Sequence, residues 1–78
     1  MKWFKAEEFC EEQSFDIHGE LGWVDTIRLT DVGKDAGHLY VMSSSTVKYL
    51  ATDSLPYAID TANTILDGFH KAGFEVVA

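Results

Sequence analysis

Residues 55–72 read LPYAIDTANTILDGFHKA, and their spacing decides the fold. Leu55, Ala58, Ile59, Ala62, Ile65, Leu66 and Phe69 recur at intervals of three and four. That interval lines one side of an α-helix with apolar groups. Ser54 or Asp53 supplies an N-cap, and Pro56 stands in the first turn, where its missing N–H costs nothing. His70 and Lys71 meet the negative end of the helix dipole, and Gly73 follows as a left-handed stop. The spacing predicts a helix over 55–72. Gly68 inside it costs about 1 kcal/mol relative to alanine, which suggests close approach to a sheet beneath.

Upstream the period changes from helical to alternating. Over residues 23–32, Trp23, Ile27 and Leu29 are apolar while Thr26, Arg28 and Thr30 face the other way, as in a half-buried strand. The glycine- and aspartate-rich residues 33–37 then make a turn, and residues 38–42 return as a second strand. Ser43, Ser44 and Ser45 are read as a further turn, although a bulge within a continuing strand also fits. After them Val47 and Tyr49 oppose Lys48 and Leu50. Ahead of Trp23, Phe15 and Ile17 alternate with Asp16 and His18, and residues 19–22 close that segment. The tail from Phe74 to Val77 is either a short edge strand or a fold-back of Phe74 over the helix end.

The first dozen residues are the least regular. Trp3, Ala6, Phe9, Cys10 and Gln13 fall at helical spacing, which would put Glu7, Glu8, Glu11 and Glu12 together on the opposite face. The expected architecture is α+β in one domain over residues 1–78. A short N-terminal helix precedes a three- to four-stranded antiparallel sheet, and the long C-terminal amphipathic helix packs on one sheet face.

Charge sets the second theme. The chain has 78 residues, thirteen acidic against six basic, for a net charge of −7. Residues 6–27 contain seven carboxylates and neither lysine nor arginine. That sign excludes direct nucleic-acid binding, which needs a basic contact face. It suits a partner with a basic surface, although charge of this size also serves solubility. With 46% hydrophobic and 13% aromatic residues the chain carries enough apolar surface to fold. The single Cys10 rules out an intramolecular disulfide and suggests a reducing compartment. No apolar run approaches the roughly 20 residues that span a bilayer, and the start MKWFKAEE meets glutamates where a signal sequence would be apolar. A soluble, cytoplasmic protein is expected.

No pattern for chemistry stands out. His18, His38, His70 and Cys10 lack the two-to-four-residue spacing of a structural zinc site. Asp31 and Asp35 lack the alternate oxygen ligands of a calcium loop, and the serine triplet lacks a nucleophile elbow. Neither enzymatic activity, a metal nor a cofactor is expected. The candidate contact residues are therefore Glu7, Glu8, Glu11, Glu12, Asp16 and Glu20, with Asp60 and Asp67 from a seven-residue aspartate repeat that starts at Asp53. Tyr57 joins them because it lies off the apolar stripe of the helix.

In size, acidity and α+β layout the chain resembles small inhibitor and accessory proteins of bacteriophages and mobile elements, anti-CRISPR and DNA-mimic proteins among them. That general likeness implies a non-enzymatic protein that occupies the basic, nucleic-acid-binding surface of a larger partner. The competing expectation is a self-associating structural or regulatory module, a homodimer joined through a sheet edge.

Overall fold

A computed structural model describes residues 3–9, 12–31, 37–43 and 47–78. Five antiparallel strands run β1 (Gln13–Gly19), β2 (Gly22–Asp31), β3 (Gly37–Ser43), β4 (Val47–Thr52) and β5 (Glu75–Val77). Between β4 and β5 lies the helix α1 (Leu55–Lys71). The sheet order is β4-β3-β2-β1-β5. The result is α+β, one helix laid on one face of an antiparallel sheet, as the sequence pattern implies. The sheet is wider than the three or four strands expected, because the tail both folds back and pairs.

Helix α1 owes its limits to local chemistry. The Ser54 hydroxyl accepts a hydrogen bond from the Tyr57 amide at 3.3 Å, which selects Ser54 as the N-cap. At the other end Gly73 adopts φ +93°, a left-handed conformation that favours glycine. The Gly73 amide donates to the His70 carbonyl and the Phe74 amide to the Phe69 carbonyl, both at 3.1 Å. This pair of bonds is a Schellman ending, and the edge-on contact of Phe74 with Phe69 is the apolar clasp that accompanies it. The chain thereby reverses, and Val76 comes to pair with Ile17 on β1.

The inner sheet face supplies Ile17, Ile27, Leu29 and Leu39, and α1 supplies Ala58, Ile59, Ala62 and Leu66; all eight are buried. Phe4 and Phe9 complete this core from the N-terminal segment. The close approach of helix to sheet lies at Gly37, where a Cβ would stand 3.0 Å from Leu55 Cδ1 and 3.1 Å from Ala58 Cβ. It does not lie at Gly68, which is exposed and would place a Cβ in open space.

Two expectations are corrected. The N-terminal helix is absent: only Ala6–Glu8 form a single 3-10 turn, flanked by extended backbone at Lys5 and Phe9. Phe4 and Phe9 are the buried residues here, a separation of five that no helical face accommodates, and adjacent glutamates add repulsion. Cys10 and Glu11 lie outside the described residues, as do 33–36 and 44–45 of the expected turns at 33–37 and 43–45, whose Gly37 and Ser43 belong to β3. The second correction concerns Trp23. A β-bulge shifts the register between Ile17, opposite Asp25, and His18, opposite Trp23. One extra residue reverses which side the following side chains face. Trp23 therefore sits on the outer face, and Val24 comes within reach of Gly19 and Phe74 on the helix side.

Leu66→Ala should cost about 2–5 kcal/mol through lost burial and the cavity left behind, whereas Gly68→Ala should stabilise the fold by about 0.5–1 kcal/mol. Denaturant titration of both variants checks the assignment. A neutral Leu66→Ala or a destabilising Gly68→Ala would contradict it.

Candidate functional site

The N-terminal segment carries the leading glutamates. Asn63 is buried on α1, and its Oδ1 accepts hydrogen bonds from the main-chain amides of Trp3 (3.1 Å) and Phe4 (2.7 Å). Its Nδ2 donates back to the Phe4 carbonyl at 3.0 Å. The Trp3 indole N–H donates to Asp67 Oδ1 at 2.6 Å, and its ring stands edge-on to Phe15 and His70. Phe4 packs edge-on to Phe15 at 4.8 Å and to Phe9 at 6.3 Å. Residues 3–9 form a strap bound along the helix by one amide side chain and a set of aromatic rings. Glu7 and Glu8 are exposed on that strap, Glu8 within 3.9 Å of Lys5.

The outer sheet face carries a different set. Register places Asp16 beside Thr26 and His18 beside Trp23, with β5 adding Val77 next to Asp16 and Glu75 next to His18. Arg28 lies in the row with Ser14, Tyr40 and Tyr49. Its Nε is 3.2 Å from Glu12 Oε1, an ion pair without hydrogen-bond alignment. Glu12, Asp16 and Glu20 are exposed and follow β1 at intervals of four residues. At the strand rise of roughly 3.4 Å per residue, Glu12 and Asp16 are about 13 Å apart. Trp23, Val47 and Val77 are exposed apolar groups of the same face, and Leu21 is fully exposed in the β1–β2 turn. Tyr49 presents its hydroxyl to His38 Nδ1 at 3.0 Å.

The remaining expected contact residues sit elsewhere. Tyr57 and Asp60 are exposed on α1, whose buried side faces the opposite surface of the sheet from Asp16. Asp16 and Asp60 therefore occupy opposite sides of the molecule. Asp67 is half-buried and committed to Trp3, so the aspartate repeat is not a uniform solvated stripe. Glu11 lies outside the described residues.

Two open apolar grooves flank α1. One, of about 170 Å³, is lined by Leu39, Val41, Leu50 and Ile65 together with Lys48 and Thr61. The other, of about 310 Å³, runs past Ile65, Gly68, Phe69, Ala72 and Phe74. Among the described residues neither lining includes a carboxylate, histidine or cysteine. Among the described residues no three His, Cys, Asp or Glu converge on a metal-sized site, and no helix is long and apolar enough to cross a membrane.

Among the described residues one carboxylate is electrostatically set apart. Asp25 is partly buried at the bulge, opposite Ile17, and burial raises its pKa above the ordinary carboxylate value. No family model, curated protein or solved structure matches the chain, so the functional reading rests on this geometry.

The raised pKa of Asp25 has a definite sign. The fold disfavours its ionised form, so its charge lowers stability above the folded pKa, and the penalty vanishes below the unfolded value of about 4. Asp25→Asn should therefore raise the melting temperature at neutral pH, with the gain shrinking as the pH falls through the carboxylate range. Equal gains at neutral and acid pH would contradict this assignment.

Proposed function

We propose that this chain is a non-enzymatic binding protein that covers, and so blocks, a basic surface of a larger protein partner. The observation that carries the reading is the outer sheet face. Exposed carboxylates of β1 and its turn adjoin Trp23 and Val77, with exposed Val47 three strands away on β4, on a face that no helix covers among the described residues. Aromatic groups that bury large area at low entropic cost form the centres of protein interfaces, and surrounding charge sets partner choice and association rate. Among the described residues the ion pairs are Lys5–Glu8 and Arg28–Glu12. Asp16 and Glu20 therefore keep an uncompensated field for an incoming partner.

A partner surface that normally holds nucleic acid has the required sign, and occupying it is the strategy of anti-CRISPR and DNA-mimic proteins of phages. On this reading the protein works in the cytoplasm without cofactor, metal or direct nucleic-acid contact. The sheet face, rather than Asp60 on the far side of α1, makes the contact. Self-association is the second reading. It rests on β4, one of the two outermost strands of the sheet, which contains no proline and exposes Val47.

The immobilised protein should capture a basic protein from lysate at low salt and release it near 1 M salt, where charges are screened beyond about 3 Å. Reversing Glu12, Asp16 and Glu20 together to lysine should abolish capture, while Asp60→Lys leaves it intact. Capture indifferent to salt and to the triple reversal would defeat the reading. A dimer in light scattering that survives the same reversal would favour pairing through β4.

A further inference from the structure

On the outer face, three side chains form a directed chain of hydrogen bonds. The Trp23 indole N–H donates to Thr26 Oγ1 at 2.9 Å, and the Thr26 hydroxyl donates to Asp16 Oδ1 at 2.8 Å. A threonine hydroxyl has one proton. Giving it to Asp16 leaves the oxygen lone pair for the indole, so each donor has one acceptor and the order of the chain is fixed. The indole is thereby held by its edge while 45% of the residue stays exposed. The Asp16 carboxylate is oriented as well, with Oδ2 left for a further donor.

From this geometry we infer that Trp23 and Asp16 form a receptor for an arginine side chain of the protein partner, an inference that rests on the binding role proposed above. A cation over an indole face is attracted by the ring quadrupole, and a carboxylate beside it adds a charge-assisted hydrogen bond. Arginine suits both demands better than lysine, because its planar guanidinium stacks on a ring while its fork reaches a carboxylate. Val77, opposite Asp16 and 41% exposed, offers an apolar surface for the methylene stem. The local charge also fits. Glu75 and Glu20 stand nearby on β5 and in the turn, and Arg28, a base of this face, is already engaged by Glu12. The bulge makes the site, since without the extra residue Trp23 would point toward the helix.

The two tryptophans provide an internal control, because Trp3 is tied to Asp67 on the other side of the sheet. In nitrogen–proton correlation spectra, titration with a hexa-arginine peptide should shift the Trp23 indole signal and the Asp16 and Thr26 amides along one saturation curve. The Trp3 indole should stay still. Asp16→Asn, which can still accept from Thr26, and Trp23→Leu should each weaken binding by about tenfold. Hexa-lysine should bind more weakly than hexa-arginine, and Asp60→Asn should change nothing. Salt-sensitive binding that moves Glu7, Glu8 and Asp60 as much as Trp23, or that survives Asp16→Asn with native-like spectra, would overturn the receptor while leaving the charge-driven role standing. Absence of salt-sensitive binding by any basic peptide would remove both.

Discussion

The fold closes around a single amide side chain. Asn63 lies in the buried flank of α1, where an unpaired polar group would cost about 1–3 kcal/mol. It is satisfied by main-chain groups of Trp3 and Phe4, 60 and 59 residues away in sequence. Those bonds hold Phe4 in the core against Phe15, and they fix where the strap leaves the helix before it enters β1. A chain this small has little core to spare, so sealing one flank of the helix with Phe4 and Phe9 matters to the whole domain. On the other flank apolar grooves run along Ile65 and Phe69, with no comparable seal among the described residues.

Helix α1 was legible because three local signals agree in one segment: a serine cap, an apolar stripe and a glycine stop. The β2–β3 pairing was equally readable, since Ile27 and Leu29 alternate cleanly and meet Val41 and Leu39 across the strands. The N-terminal segment misled for a physical reason. Trp3, Ala6 and Phe9 mimic a helical period, whereas the burial of Phe4 is decided by Asn63, a partner too distant for any local pattern to reveal. The clue was Asn63 itself, a polar residue between Ala62 and Leu66 on the apolar side of a helix. Gly68 misled by analogy: its cost is real, but the tight contact it suggested belongs to Gly37.

The same logic applies to the candidate site. Exposure of Glu8, Glu12, Asp16 and Glu20 could be anticipated from composition, but their distribution could not. Alternation assigned Trp23 to the buried side, and a one-residue bulge reversed it. Bulges leave no strong mark in a single sequence, so the outer-face cluster of Trp23, Thr26 and Asp16 emerges only from the register. The aspartate repeat of α1 illustrates the converse. Regular spacing suggested a common purpose, yet Asp60 faces solvent while Asp67 anchors the Trp3 indole. The molecule thus separates its tasks by face. The helix side holds the fold together with polar clamps, and the open sheet side presents ordered aromatic and acidic groups.

Hydrogen exchange at the Phe4 amide tests the role of Asn63 most directly. The clamp predicts slow exchange in the parent protein, approaching that of the central strands. In Asn63→Leu, similar in size but unable to pair, the Phe4 and Trp3 amides should exchange rapidly and stability should fall by about 3 kcal/mol or more. Rapid exchange at Phe4 in the parent, or an Asn63→Leu variant that keeps both its protection and its melting temperature, would contradict the account.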